Sequence, residues 1–340
     1  MLGAILNSTL APTFWPAKGI NPPMGITRAI REYLNESNLF AVIEMGAYRP
    51  GSIKRLCDFT PPQAGIITAV GRMHLGRMGG DEGVLKAKSE LAQAVPESGV
   101  LVCNADNQGS LKIARMYPKK TTILYTLNSE TKITADEKLC YLKKLETLAS
   151  GTKFEITWQG EKYEGFLSMH GVAALSNFAA CFSMACELGA DPEYVIAYAR
   201  NIKPVNNRLE VVSYQDYTQI NDAYNSNPAG FESALEVLRD LPGERKILLT
   251  PGMIDLGDKQ YDENFNIARI AAGICDKVYI VGDENSEAII KGLESGGFED
   301  ILFVKNRTEA FEYLGKDKKP GDVVLIENDL PDLYELDFKL

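Results

Sequence analysis

The sequence predicts an α/β protein of two domains, each built around a largely parallel sheet. Three observations carry this reading. Short apolar runs alternate with stretches of helical periodicity along most of the chain, as they do in βαβ units. The chain has 340 residues and 45% hydrophobic content, enough for two cores at roughly 150 residues each. The pattern also resets near Pro204, and strand and helix then alternate regularly enough to predict a Rossmann-like unit. The domains are expected at 1–205 and 206–340.

In the first domain, runs at 40–44, 64–70, 100–104 and 122–126 predict strands, and 25–35, 50–57 and 81–95 predict helices. The polar stretch Lys119 to Lys144 reads as a surface excursion. From 153 to 168 the period changes to two: Phe154, Ile156 and Trp158 alternate with polar residues, Gln159-Gly160-Glu161 turns, and a hairpin is expected. Helices follow over roughly 175–189 and 191–201, the second opened by Asp191 as N-cap and Pro192 at N1. In the second domain a short pair (209–214 and 218–221) leads into a polar loop, and Pro228 starts a helix to 240. Strands at 246–250, 277–281, 301–304 and 322–326 then alternate with helices at 262–275, 286–294 and 308–315.

A formal net charge of −10 gives no bulk attraction for nucleic acid or an anionic membrane. Six scattered cysteines without a Cys-x-x-Cys pair argue against a disulfide framework or structural zinc and fit a cytoplasmic protein. Met1 to Asn7 lacks the basic head and apolar length of a signal peptide. The apolar stretch Phe166 to Ala190 is interrupted by His170, Ser176, Asn177, Ser183 and Glu187. It reads as a loop and a buried helix rather than a membrane span.

Lys88 shares its helix face with Val84, Leu91, Ala92 and Val95, whereas Glu82, Lys86, Glu90 and Gln93 form the opposite, solvated face. One reading is a lysine that buries its stem and snorkels its amine to water. The other is a functional lysine, whose burial leaves a neutral amine able to add carbon dioxide and become an anionic carbamate. Glu44 and His74 both follow apolar runs, where parallel sheets carry their ligands. Taken singly, a Glu at a strand end is more often a loop residue or N-cap partner, and a lone His more often structural. Together they make an oxygen-rich set with one imidazole, which suits magnesium or manganese better than zinc. Asp222 and Asn225-Ser226-Asn227-Pro228 lie between a strand and a helix. Asn227 reads as an N-cap, while Asp222 and Tyr224 are placed to grip a ribose or base. Arg208 suits either a phosphate clamp or an interdomain salt bridge.

Taken in order, several stretches resemble the Mur ligase family of ATP-dependent acid–amino-acid ligases. They are Val42-Ile43-Glu44-Met45-Gly46-Ala47, Gly65 to Gly71 leading to His74, Ala87-Lys88-Ser89-Glu90-Leu91, and Val102-Cys103-Asn104-Ala105-Asp106. Asn207-Arg208-Leu209-Glu210, Asp222 to Pro228 and Gly252-Met253-Ile254-Asp255-Leu256-Gly257 complete the set. The resemblance implies a central ATPase-type domain followed by a Rossmann-like ligase domain. Glu44 and His74 would hold Mg2+ (or Mn2+) near the ATP γ-phosphate, and Lys88 would be carbamylated. Asn177 would contact the adenine, Arg208 the phosphates and Asp222 the ribose, with Tyr224 and Asn225 lining the nucleotide site. Lys88, His74 and Arg208 would act in catalysis. A carboxylate would be phosphorylated and then attacked by an amine, the implied pair being a UDP-muramoyl peptide and a dipeptide of cell-wall synthesis.

Three departures stand beside the match. The family's Gly-x-x-Gly-Lys-Thr/Ser phosphate loop has no counterpart in the chain, and Leu2 to Leu10 reads as the end of the helix that follows it. The loop is expected from a preceding region or from a partner chain; the alternative is a ligase-derived binding or scaffolding protein. The family's Gly-x-His-Asn-x-x-Asn reads Gly171-Val172-Ala173-Ala174-Leu175-Ser176-Asn177, and its final Lys-Gly-Ser reads Glu327-Asn328-Asp329. The acceptor site is therefore expected to differ from that of a standard tripeptide ligase.

Overall fold

The computed structural model describes residues 1–17, 19–71, 80–204, 208–223 and 226–328. The chain divides into two compact units. The first comprises 1–145, 153–167 and 174–202; the second comprises 146–152, 168–173 and 203–340.

The first unit opens with helix α1 (Leu2–Thr9) and a small parallel pair, β1 (Thr13–Phe14) and β2 (Phe40–Ala41), flanking α2 (Pro23–Tyr33). Helix α3 (Ser52–Phe59) follows. The main sheet takes β3 (Ala64–Ile67), β4 (Val100–Asn104), β5 (Thr121–Thr126), β6 (Glu137–Leu148), β7 (Gly151–Trp158) and β8 (Glu161–Leu167), side by side in that order. β3 to β6 pair in parallel. Helices α4 (Gly80–Ala94) and α5 (Gln108–Met116) make the crossovers. They bury Ala92, Ile113 and Ala114 against Ile67, Leu101, Cys103 and Leu124. The β7–β8 hairpin turns at Gln159 and Gly160, both at positive φ (52° and 89°), the backbone a tight two-residue hairpin requires. It packs Phe154 and Trp158 onto Phe178 and Phe182 of α6 (Val172–Glu187), with ring centroids 5.0 and 6.3 Å apart. Ten residues of α6 are buried, which accounts for its apolar sequence. Among the described residues no helix is long and apolar enough to cross a membrane. Helix α7 (Pro192–Tyr198) is capped by Asp191, which accepts from the Glu193 amide at 2.8 Å. All six cysteines are free.

The second unit has one antiparallel edge strand, β9 (Glu210–Ser213), beside β10 (Tyr217–Asp222). Helix α8 (Pro228–Asp240), β11 (Lys246–Thr250), α9 (Gln260–Ala272), β12 (Lys277–Val281), α10 (Ser286–Ser295), β13 (Ile301–Val304), α11 (Arg307–Asp317) and β14 (Asp322–Glu327) follow. The strand order is β13-β12-β11-β14-β10-β9, with every pair but β9–β10 parallel. Phe231, Leu235, Ile267 and Leu293 pack on one face, and Ala310 and Leu314 on the other, so the sheet is covered on both sides. β14 returns between β11 and β10. Open α/β sheets bind their ligands at the carboxyl ends of strands around such a reversal.

Three expected elements differ. The run 40–44 is strand only at Phe40–Ala41, so Glu44 lies three residues past the pairing. The run 64–70 stops at Ile67, because side chains take over the backbone partners: Asn104 Nδ2 donates to Thr68 O (3.0 Å) and the Val70 amide donates to Asn107 Oδ1 (3.0 Å). The supposed surface excursion ends in a real strand, since Cys140 and Leu142 alternate inward at 0% exposure on β6.

Candidate functional site

In the first unit the site forms where β2 and β3 give way to loops. Lys88 sits on α4 with Val84, Ala87 and Ala92 buried around it, and it is half-buried itself. Burial holds its amine below the usual lysine range, and the attraction of Glu44 partly offsets this. The structure thus brings Glu44 and Lys88 together, 44 residues apart in the chain. Lys86 is exposed, as the helix pattern requires. Glu44 is exposed; its Oε1 accepts from Asn21 Nδ2 at 3.3 Å, and Tyr48 Oη donates to Asn21 Oδ1 at 2.9 Å. Asn21 stands 23 residues before Glu44, so no local pattern marks it as a partner; Tyr48 is near Glu44 in sequence but is linked to it through Asn21. His74 lies outside the described residues. The loop leading toward it is pinned by Asn104 and by Asn107, which also caps α5 through the Ser110 amide (2.9 Å).

Glu90 is not simply part of a solvated face. Its carboxylate accepts from the Gly51 amide (2.5 Å) and the Lys54 amide (2.8 Å), capping α3 from a neighbouring helix. Glu90→Ala should lower stability by about 1 kcal/mol, read as a shift in the urea midpoint. An unchanged midpoint would show that water replaces the cap without loss.

The described residues contain no group of three or more His, Cys, Asp or Glu side chains able to share a metal. Glu44 offers one hard carboxylate, and Lys88 becomes an oxygen donor only as a carbamate. That sparse set fits Mg2+, which takes one or two carboxylates and fills its octahedron with phosphate oxygens and water.

In the second unit Asp222 ends β10, and its Oδ1 accepts from the Leu209 amide at 3.1 Å. Burial raises the Asp222 carboxyl, while the Leu209 hydrogen bond and the Arg208 charge pull it down. Arg208 is exposed and lies close enough for that attraction. Tyr224 and Asn225 lie outside the described residues. Asn227 caps α8 by accepting from the Gly230 amide at 3.0 Å, as expected. Glu327, opposite Asp222 in the register of β14 and β10, is 1% exposed. Burial, and then the charge of Asp222, push its carboxyl well above the ordinary range. Sequence reasoning marked this position only as a departure; its burial follows from β14 lying between two strands.

The loop after β11 is held by buried amides. Asn264, fully buried, accepts from the Met253 amide (2.8 Å) and donates to Met253 O (2.9 Å); Asn285 donates to Pro251 O (2.9 Å). Gly252 is at φ 80°, and a Cβ there would stand 2.6 Å from Asn264 Oδ1, so glycine alone fits. Asn177 is exposed on the second turn of α6.

The Mur ligase middle domain matches residues 1–185, and the Mur ligase glutamate ligase domain matches residues 207–327. The UDP-N-acetylmuramoyl-tripeptide–D-alanyl-D-alanine ligase of Escherichia coli (strain K12) is 27% identical over 297 residues, which cover 84% of this chain. The chain spans 62% of the length of that relative. The fold is that of MurF from Acinetobacter baumannii, with a TM-score of 0.79 at 22% identity, covering 96% of this chain and 69% of that one. A MurF structure from Thermotoga maritima in complex with ADP has a TM-score of 0.78 at 23% identity, covering 96% and 73%. With both domains matched in order over their α/β sheets, the chain belongs to the Mur ligase family.

Proposed function

We propose that the chain forms the nucleotide-using and amide-forming part of a Mur-type ligase that acts in the cytoplasm on a cell-wall peptide precursor. The observation that carries this reading is the half-buried Lys88 amine beside the Glu44 carboxylate, at the loop end of a parallel sheet. Support also comes from the E. coli relative, whose name specifies a UDP-muramoyl tripeptide and D-alanyl-D-alanine, and from the ADP held by the Thermotoga neighbour. The domain division is placed at 205/206.

A substrate carboxylate attacks the γ-phosphorus of ATP, releasing ADP and leaving an acyl phosphate. An amine then attacks the carbonyl carbon, and the tetrahedral intermediate expels phosphate while the new nitrogen loses a proton. Bound Mg2+ would supply charge neutralisation at the phosphate oxygens. Glu44, with His74 and a carbamate on Lys88, would hold it. Arg208 clamps phosphates, Asp222 accepts from a ribose hydroxyl, and Asn177, Tyr224 and Asn225 line the base and sugar. The enzyme's contribution is positioning and charge placement.

A second reading rests on Ala173-Ala174 standing where the family has His-Asn: a non-catalytic or split derivative that binds a partner. The test is release of ADP by the purified chain with Mg2+, UDP-muramoyl tripeptide and D-alanyl-D-alanine. Release that depends on both metal and acceptor is expected from the ligase. Neither release nor nucleotide binding, restored only by a co-purifying chain, would favour the split form; neither under any condition would sink the ligase reading.

A further inference from the structure

We propose that Glu327 is a positioning residue that anchors the return of the loop 222–226 at Ser226. The inference rests on the nucleotide reading above for what the loop does, but not for how it is held. The loop leaves the sheet at Asp222, which lies directly opposite Glu327 on the neighbouring strand. The Asn328 amide extends that pairing by donating to Asp222 O at 3.1 Å. The loop returns at Ser226, whose hydroxyl donates to Glu327 Oε1 at 2.6 Å. Ser226 is itself buried, and the next residue is the N-cap of α8. The end of β14 therefore holds both the exit and the return of the segment that carries Tyr224 and Asn225, by its backbone at Asp222 and by the Glu327 side chain at Ser226.

The second oxygen decides the charge of Glu327. Oε2 is buried and has no hydrogen-bond partner among the described residues. An ionised carboxylate with a bare, dry oxygen is costly, and more so beside a second carboxylate. From β10 the facing titratable group is Asp222. The cation Arg208, preceding β9, acts on Asp222, and toward β11 the neighbouring Asn328 donates its neutral amide to Gly252 O at 2.6 Å. Glu327 therefore keeps the proton and Asp222 the charge, balanced by Arg208. This division leaves Asp222 an acceptor at the end of β10 while Glu327 serves as a neutral anchor at the end of β14 beside it.

The conservative variant separates anchoring from titration. Glu327→Gln keeps the size and the acceptor for Ser226 and removes the acid. Infrared spectra of the full chain at neutral pH should show a protonated-carboxyl C=O band that Glu327→Gln lacks; the same band in both would overturn the neutral-acid assignment. Calorimetric titration with Mg-ADP should show near wild-type affinity for Glu327→Gln and about tenfold weaker binding for Glu327→Ala and Ser226→Ala, the loss of one buried hydrogen bond. Limited proteolysis within 223–225 should speed up in the same two variants and not in Glu327→Gln. Equal cleavage in all four proteins would overturn the anchor. If the wild type binds no nucleotide, the functional reading fails, and the infrared and cleavage measurements still decide the inference.

Discussion

Lys88→Ala should abolish ligase turnover, by about 10²–10³-fold or more, the size of effect expected when one preorganised charge is removed from a transition-state site. Lys88→Arg should be as inactive. Arginine keeps a positive charge and a long stem, but it cannot be neutralised or carry a carbamate. The geometry behind this is specific: Lys88 lies on the buried side of α4, its amine held low by burial, with Glu44 the charge acting on it. A short-chain carboxylate should rescue Lys88→Ala better than bicarbonate does, since it replaces the missing anionic oxygen directly. Carbon-13 NMR of the wild type under labelled carbon dioxide should show a carbamate signal that both variants lack. Full activity in Lys88→Arg would rule out the carbamate, leaving the snorkelling lysine as the reading.

The parts of this site that could be read from the chain are those set by local rules. Lys88 declared itself through a period of 3.6, because a charge among Val84, Leu91 and Ala92 conflicts with its own helix face. Asn227 and Asp191 were legible as caps because capping is a contact across two or three residues. Glu44 lies three residues past a strand that is shorter than the apolar run 40–44 predicts. What stayed hidden depends on topology. Asn21 reaches Glu44 across 23 residues and Tyr48 reaches Asn21 across 27, and Glu90 leaves its own helix to cap another. Glu327 follows an apolar run as Glu44 does, yet one is exposed and the other 1% exposed. The difference is that β14 inserts between β11 and β10, whereas among the described residues β2 pairs with β1 alone, and no window of sequence contains that fact.

The two ends of β14 should respond to pH in opposite senses, and Asp322 gives the larger effect on stability. Asp322 opens the strand at 1% side-chain exposure. Arg245 grips it with two bonds, Nε to Oδ1 at 3.0 Å and Nη2 to Oδ2 at 2.7 Å, and the Lys319 amide donates to Oδ2 at 2.7 Å. Burial alone would raise this carboxyl, but the Arg245 fork, the Lys319 amide and the nearby positive charges outweigh it and hold it below 3.8. Its stabilisation is therefore fully present above that value and is lost as pH falls through the lower folded-state value. Asp322→Ala should cost about 3 kcal/mol at neutral pH, the low end for breaking a buried pair, because Arg245 keeps partial access to water. The cost should shrink in acid. Glu327 runs the other way: its raised carboxyl makes the native state the better proton binder, so it favours folding at low pH and opposes it increasingly as pH rises above 4.5. Urea midpoints at neutral and acid pH for the wild type, Asp322→Ala and Glu327→Gln would test both signs. Asp322→Ala should lose most at neutral pH, where Glu327→Gln should gain. A loss for Asp322→Ala that does not change with pH would mean that packing, rather than the Arg245 pair, is what the carboxylate provides.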